Sequence, residues 1–345
     1  MTFEPPAGVS FVMPVHNGAQ SLRRALDAII AQRDGRPMEI VVVDDRSTDD
    51  SGQILATYAA EGGVTVLAGQ GHGAAAAINL AMRHVRYPIV CQVDQDVVVQ
   101  PGWMKRLVEA FSDPDVGAAQ GYYLTPPGAT IWGRVMGLDL QERYRRIRRL
   151  DFDHICTGNS AYRAEALQKV DLFDETFGYG YDNDMSYRLA AVGYRLVFCP
   201  DALSLHFWRS GAYDYLVQQY GVGYGRLDLI AKHHRHVTGD DVSGPGMILH
   251  AAGMLVVLLG LALAVVVSMT GISVKPIILT VGSLFLALMA ERLVVGLRAA
   301  IQFRDAAGLF FAPIHLLRDF AWVAALSTWA LRRLRGRAQC PRDSM

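Results

Sequence analysis

The 345 residues are 51% hydrophobic and 19% charged, more apolar than one soluble core of this length requires, so part of the chain needs a second, apolar environment. Thirty-three Lys+Arg balance 33 Asp+Glu, which leaves no global basic field and argues against a nucleic-acid partner. Cys91, Cys156, Cys199 and Cys340 lie far apart with no CxxC pair, a pattern against both a zinc site and a disulfide framework and in keeping with a reducing, cytoplasmic setting.

The start, MTFEPPAGVS, carries no basic stretch ahead of an apolar one, so no cleavable signal peptide is expected. Val9 to Met13 reads as a short buried strand ending at Pro14, and Ser21 to Arg33 puts Leu22, Ala25, Leu26, Ile29 and Ile30 on one helical face. Glu39 to Val43 is a second strand that ends in Asp44-Asp45. Val64 to Leu67 is a third, followed by a glycine-rich turn, Gly69 to Gly73, and a helix from Ala74 to His84. Pro88 to Val93 is a fourth strand ending in Asp94-Gln95-Asp96, and Gly102 to Phe111 is helical again. Near-continuous apolar strands alternating with helices indicate an α/β fold with a mostly parallel sheet, which binds ligands at the carboxyl ends of its strands. Those ends carry Asp44, Asp45, Asp94 and Asp96. The basic stretch Glu142 to Arg149 suits a solvated helix face or contact with a lipid phosphate.

From Met247 to Met269 the only clearly polar side chains are His250 and Ser268, enough apolar length to cross a hydrocarbon core of about 30 Å. Pro276 to Leu297 is a second span, with Glu291 and Arg292 near enough to its end to snorkel. Leu309 to Leu331 is apolar too, but His315, Arg318, Asp319 and Trp322 draw a polar stripe along it that suits an interfacial or re-entrant helix better than a free span. The expected division is therefore a cytoplasmic domain over residues 1–240, two transmembrane helices within 246–298, and an interfacial, re-entrant or third membrane helix at 309–334. Arg226, Lys232 and Arg235 before the first span, with Arg298 and Arg304 after the second, place both ends inside, giving a multi-pass protein of the inner membrane.

Side chains two apart on an extended segment point the same way, so Asp94 and Asp96 can converge on one hard cation, Mg2+ or Mn2+, that neutralises a diphosphate leaving group. Carboxylates at strand ends also serve as ordinary turn formers, and a D-x-D alone is weak. The glycines at 69, 71 and 73 form G-x-G-x-G after the third strand rather than a dinucleotide loop after the first, and no GxxxxGK[ST] is present.

PVHN at Pro14 to Asn17, VVVDDRSTDDS at Val41 to Ser51, QVDQD at Gln92 to Asp96 and FDETFGYGYDNDMSYRL at Phe173 to Leu189 occur in that order. Together they resemble the family-2 glycosyltransferases, whose nucleotide-binding fold is called GT-A, over roughly residues 8 to 235. The resemblance implies an inverting, metal-dependent glycosyltransferase that moves a sugar from a nucleoside-diphosphate sugar, and the membrane segments point to a membrane-associated, lipid-linked acceptor. It implies that Pro14, Val15, His16 and Asn17 with Asp44 or Asp45 hold the nucleoside, that Gly71 to Asn79 flanks the nucleotide, and that Gly158 and Asn159 lie under the donor sugar. Asp96, with Asp94 and His206, would ligate the cation, Asp94 alternatively reaching the ribose or the sugar. Asp182 matches the catalytic base, although the Glu usually before it is Tyr181 here, and Asp184 is read as pairing with Arg188 at i+4. A non-catalytic membrane subunit of the same fold, or another nucleotide-binding α/β protein, are the alternatives.

Overall fold

A computed structural model of the protein describes residues 8–145, 147, 151–240, 242 and 244–336. Arg146, Arg148 and Arg149 of the basic stretch, together with Arg337 and Cys340, lie outside the described residues. In chain order the elements begin β1 (Val9–Val15), α1 (Ala19–Ile30), β2 (Met38–Asp44), α2 (Ser51–Ala60), β3 (Thr65–Ala68), α3 (Ala74–Met82), β4 (Ile89–Val93), β5 (Val97–Val99), α4 (Trp103–Glu109) and β6 (Val116–Leu124). They continue with α5 (Ile131–Tyr144), β7 (Asp151–Phe152), β8 (Asn159–Arg163), α6 (Ala164–Lys169), α7 (Tyr181–Ala191), β9 (Arg195–His206), α8 (Ala212–Lys232), α9 (Pro245–Ser268), α10 (Lys275–Phe303) and α11 (Phe311–Leu334).

The chain divides into two compact units, one from the described residues up to 128 plus 147–208, the other from 129–145 and those after 208. The division differs from the expected boundary near residue 240. Helix α5 belongs with the later helices because Val135 and Leu138 share a buried cluster with Tyr215, Val295, Ala299, Phe311 and Ile314. No composition change marks such an insertion, so sequence reading could not place it.

In the first unit the strand order is β3-β2-β1-β4-β8-β6-β9-β5, with β7 pairing β9. The first four strands are parallel, and in β1, β2 and β4 side chains such as Phe11, Val12, Val42, Val43 and Val93 are buried as both-faces-covered strands require, while β3 lies at the sheet edge. On α1, Leu22, Ala25, Leu26 and Ile29 are fully buried at helical spacing, each large apolar side chain contributing about 1.5–3 kcal/mol. Beyond β4 the sheet is mixed rather than parallel, since β8 runs antiparallel to both β4 and β6. The link from β4 to β5, residues 94–96, is too short for the crossover that a parallel return needs, so β5 leaves to pair antiparallel with β9.

Among the described residues of the second unit three helical segments, 24, 29 and 29 residues long, are long and apolar enough to cross a membrane: Pro245–Ser268, Lys275–Phe303 and Ala306–Leu334. The third is the segment expected as an interfacial, re-entrant or third membrane helix. Its polar stripe is turned inward, with His315, Arg318, Asp319 and Trp322 all buried, and Arg318 lies 3.5 Å from Asp139 of α5. Arg143 also bonds Asp139 at 2.8 Å. Burial alone would raise the Asp139 pKa, but the positive charges of Arg143, Arg318 and Arg292 outweigh it and hold the carboxyl well below the usual range.

Candidate active site

Two registers assemble the site. Pairing of β4 with β8 sets Val93 opposite Asn159, which brings Gly158 beside Asp94, and pairing of β5 with β9 sets Val97 opposite His206, beside Asp96. Asp94-Gln95-Asp96 is a tight turn, closed by the Val97 N–H donating to the Asp94 carbonyl at 3.0 Å, rather than the continuing strand that spacing suggested. The Asp94 carboxylate accepts from Gln92 Nε2 at 2.7 Å. Gln92 Oε1 in turn accepts the Gly158 N–H. Gly158 has φ +88°, and a Cβ there would overlap Asp94 Oδ2, so both backbone conformation and space demand glycine.

His206 Nε2 stands 3.5 Å from Asp96 Oδ1, and its ring packs against Tyr123 and Trp208 at centroid distances of 5.0 and 3.8 Å. Trp208 donates to Thr125 Oγ1 at 3.2 Å, while Phe207 lies under the Arg24 guanidinium at 4.6 Å. Burial first, then the charges of Asp96 and Asp182, push the Asp94 carboxyl up to about 6 against the Gln92 bond and His206, which draw it down. Two carboxylates close enough to repel, with an imidazole nitrogen beside one of them, make a donor set suited to Mg2+ or Mn2+. Asp94, Asp96 and His206 are not drawn together as a three-donor group; among the described residues only His154, Cys156 and Asp182 are.

Asp182 sits in the first turn of α7, just past Gly180 at φ +85°, where the helix dipole favours a negative charge. It is 22% exposed, Oδ1 accepts the Asn183 N–H at 2.9 Å, and Oδ2 lies 4.0 Å from His154 Nε2. The neighbouring Tyr181 hydroxyl, where the related motif has Glu, accepts from Thr157 Oγ1 at 3.2 Å. Burial, then the charges of Asp94 and Asp182, push its pKa well above the usual tyrosine value, so it stands as a neutral hydroxyl. Asp184 is fully buried and bonds Arg188 at 2.8 Å, the structural pairing expected from its i+4 spacing.

The expected nucleoside side is more heavily engaged within the protein than the motif suggested. Val15 C=O accepts the Asp45 N–H at 2.7 Å, and the His16 N–H and C=O are both bonded by the Gln95 side chain at 2.9 Å. Pro14 is half-buried at the end of β1, and Asn17, at φ +50°, is bonded to Ser47 and Thr48. Asp45 is buried, its two oxygens accepting the N–H groups of Gly71, His72 and Gly73. Asp44 is half-buried and accepts from the Ser47 N–H at 2.9 Å, which leaves it the better placed of the two to meet a ligand. Two expected contacts are corrected. Asn79 is buried and spends its amide on Phe173 and Glu175, tying α3 to that loop, and the Asn159 side chain turns into the core to accept from Trp103 Nε1 at 2.5 Å. In a buried setting an amide is used where backbone groups need partners, and sequence spacing does not reveal those partners.

Gln92, Gln95 and His154 escaped sequence reading. The glutamines lay inside the motif but carry no charge to mark them, and His154 gains meaning only when the loop before β8 is folded against α7: Ile155 N–H donates to Ser186 Oγ at 2.9 Å and Cys156 N–H to Gln120 Oε1 at 2.6 Å.

Comparison with known proteins supplies the family. The sequence model of the family "Glycosyl transferase family 2" matches residues 10–171. The chain is 28% identical over 243 residues to a pre-mycofactocin glycosyltransferase of Mycobacterium tuberculosis, covering 66% of this chain and 50% of that protein, so it spans about half the length of that relative. It is 34% identical over 200 residues to the undecaprenyl-phosphate mannosyltransferase of Micrococcus luteus, covering 55% of this chain and 80% of that protein. A mannosyltransferase from Pyrobaculum calidifontis, solved in complex with GDP-Man and Mn2+, shares the fold at TM-score 0.60 and 22% identity, over 97% of this chain and 88% of that one. With GT-A topology, an acid-lined site at the strand ends and a relative matched over most of its length, this chain belongs to glycosyl transferase family 2.

Proposed function

We propose that the chain transfers one sugar, with inversion, from a nucleoside-diphosphate sugar to a lipid-linked acceptor at the inner face of a membrane. The observation that carries the reading is the environment of Asp94, whose carboxyl feels Asp96 from its own turn, His206 from the end of β9 and Asp182 from the start of α7. Three chain segments thus bring acids and an imidazole within electrostatic reach of Asp94, a clustering typical of functional sites.

Asp182 is the base. Its carboxylate, in the first turn of α7 and open to solvent on one side, accepts the proton of the acceptor hydroxyl as that oxygen attacks the anomeric carbon. The nucleoside diphosphate departs from the opposite face of the same carbon, which inverts its configuration. Asp96, with Asp94 and His206, would hold Mg2+ or Mn2+, which when bound neutralises the diphosphate as a leaving group. Asp44 receives the nucleoside, and the half-turn at Gly158 brings backbone close to the donor sugar. Helices α9 and α10 anchor the enzyme, and the name of the Micrococcus luteus relative supports a polyprenyl-linked acceptor class, here one that presents a hydroxyl to Asp182. The detergent-solubilised protein, tested against a panel of sugar nucleotides with Mn2+ or Mg2+, should release nucleoside diphosphate from at least one donor. Binding without release across the panel would instead identify a non-catalytic subunit.

A further inference from the structure

Beside the proposed base lies a donor set of different chemistry. His154 Nε2 is 3.0 Å from Cys156 Sγ and 4.0 Å from Asp182 Oδ2, and all three donor atoms lie within 4.8 Å of one another. A tetrahedral Zn2+ with Zn–N and Zn–O near 2.1 Å and Zn–S near 2.3 Å spaces its donors by roughly 3.3–3.7 Å, so small side-chain movements bring the three into range.

The frame that carries them is fixed. The loop from His154 to Thr157 is stapled to α7 through Ile155 N–H on Ser186 Oγ, Ser186 Oγ–H on the Asp182 carbonyl at 2.7 Å and Thr157 Oγ1 on the Tyr181 hydroxyl. Its other side is held by Cys156 N–H on Gln120 Oε1 and by the Tyr123 hydroxyl on the Thr157 carbonyl at 2.9 Å. His154 is 3% exposed, and its Nδ1 faces the Asn183 side-chain amide, which fixes the ring's orientation. Cation binding at Nε2 places the ring proton on Nδ1, and a half-turn of the Asn183 amide presents Oδ1 to accept it. Cys156 and Asp182 are both partly exposed, so the open side of the triangle has access to solvent.

We propose that His154, Cys156 and Asp182 form a binding site for a thiophilic divalent cation of the Zn2+ class, and that its occupancy blocks transfer by engaging the carboxylate of Asp182. The chemistry separates this site from the Asp94–Asp96 turn. A thiolate, an imidazole and one carboxylate select Zn2+ over Mg2+, whereas the turn offers two carboxylates suited to hard cations. The effect on rate rests on Asp182 being the base, but the binding site does not. Cys156 releases its thiol proton to solvent on binding, so affinity rises with pH.

The test uses the full-length protein in detergent with saturating Mg2+ and Co2+ as the spectroscopic probe. One equivalent of Co2+ should produce a thiolate-to-cobalt charge-transfer band that Zn2+ displaces and that Cys156→Ser and Cys156→Ala both lose. In the rate assay, Zn2+ should inhibit the parent enzyme at least tenfold, and Cys156→Ser should need at least ten times more Zn2+ for the same fractional loss, each protein referred to its own Zn2+-free rate. Absence of the band in the parent, its persistence in the Cys156 variants, or equal Zn2+ sensitivity of parent and Cys156→Ser overturns the proposal. A normal band together with undiminished turnover by Asp182→Asn would leave the cation site standing and refute the base assignment alone.

Discussion

Asp94 and Asp139, one in each unit, are carboxyls withdrawn from water in opposite electrical surroundings. Asp139 is ringed by Arg143, Arg318 and Arg292, which hold its pKa well below the ordinary range against the cost of burial. Asp94 has only a glutamine amide and His206 on its side, with Asp96 and Asp182 against it, and rises from 3.8 to about 6. The helical unit meets its buried charge with cations of its own, whereas in the sheet unit burial and neighbouring acids outweigh the partners of Asp94. A charge compensated internally belongs to the fold, whereas one that is left in debt is poised for a cationic ligand.

The sharpest way to break this contrast is to neutralise each acid in turn. Asp139→Asn strips the counter-charge from Arg143 and Arg318 and should cost about 3–5 kcal/mol, seen as a lowered thermal midpoint in detergent. Asp94→Asn should not lower the midpoint of the metal-free protein, while abolishing metal-dependent nucleotide binding. Their pH signatures differ in sign. The depressed pKa of Asp139 gives stability that is present above the ordinary carboxylate range and lost as pH falls through and below it. The raised pKa of Asp94 means that the folded state keeps a proton the unfolded chain has released, so stability falls as pH rises from 3.8 to about 6, and Asp94→Asn should flatten that part of the curve.

A somewhat smaller effect is expected at Gly158, where Gly158→Ala combines φ +88° with overlap on Asp94 and should cost about 2–3 kcal/mol, together with weakened nucleotide binding per folded molecule. Asn79→Ala should cost about 1–3 kcal/mol by orphaning the Phe173 backbone, yet leave nucleotide affinity of the folded protein unchanged, which separates a structural amide from a ligand contact. Least of all, Arg134→Ala removes a partly exposed pair with Asp305 in the helical unit and should change stability by less than about 1 kcal/mol.

The same contrast explains what the sequence revealed. Strands with continuous apolar runs and the long apolar helices α9 and α10 were legible because periodicity and length follow directly from where a segment is buried. The ordered acidic motifs located Asp94, Asp96 and Asp182 because carboxylates at strand ends and helix starts are conspicuous. Hidden from the sequence were the neutral partners: Gln92 and Gln95, which tie the turn to Gly158 and His16, and the buried amides of Asn79 and Asn159. Equally hidden was the inward turn of the α11 stripe, since a helical period fixes which residues share a face but not what that face meets. The wide cysteine spacing likewise argued against zinc because that test seeks paired cysteines, and a histidine and a cysteine joined to a distant aspartate by tertiary structure fall outside it.

The central claim is that the convergent acids perform transfer with Asp182 as base. It is tested most directly by measuring both nucleotide binding and sugar transfer on Asp182→Asn. The account predicts metal-dependent nucleotide binding close to that of the parent and transfer reduced by at least a thousandfold, on the order of the loss of a general base together with its positioning. Turnover within a few-fold of the parent would contradict it.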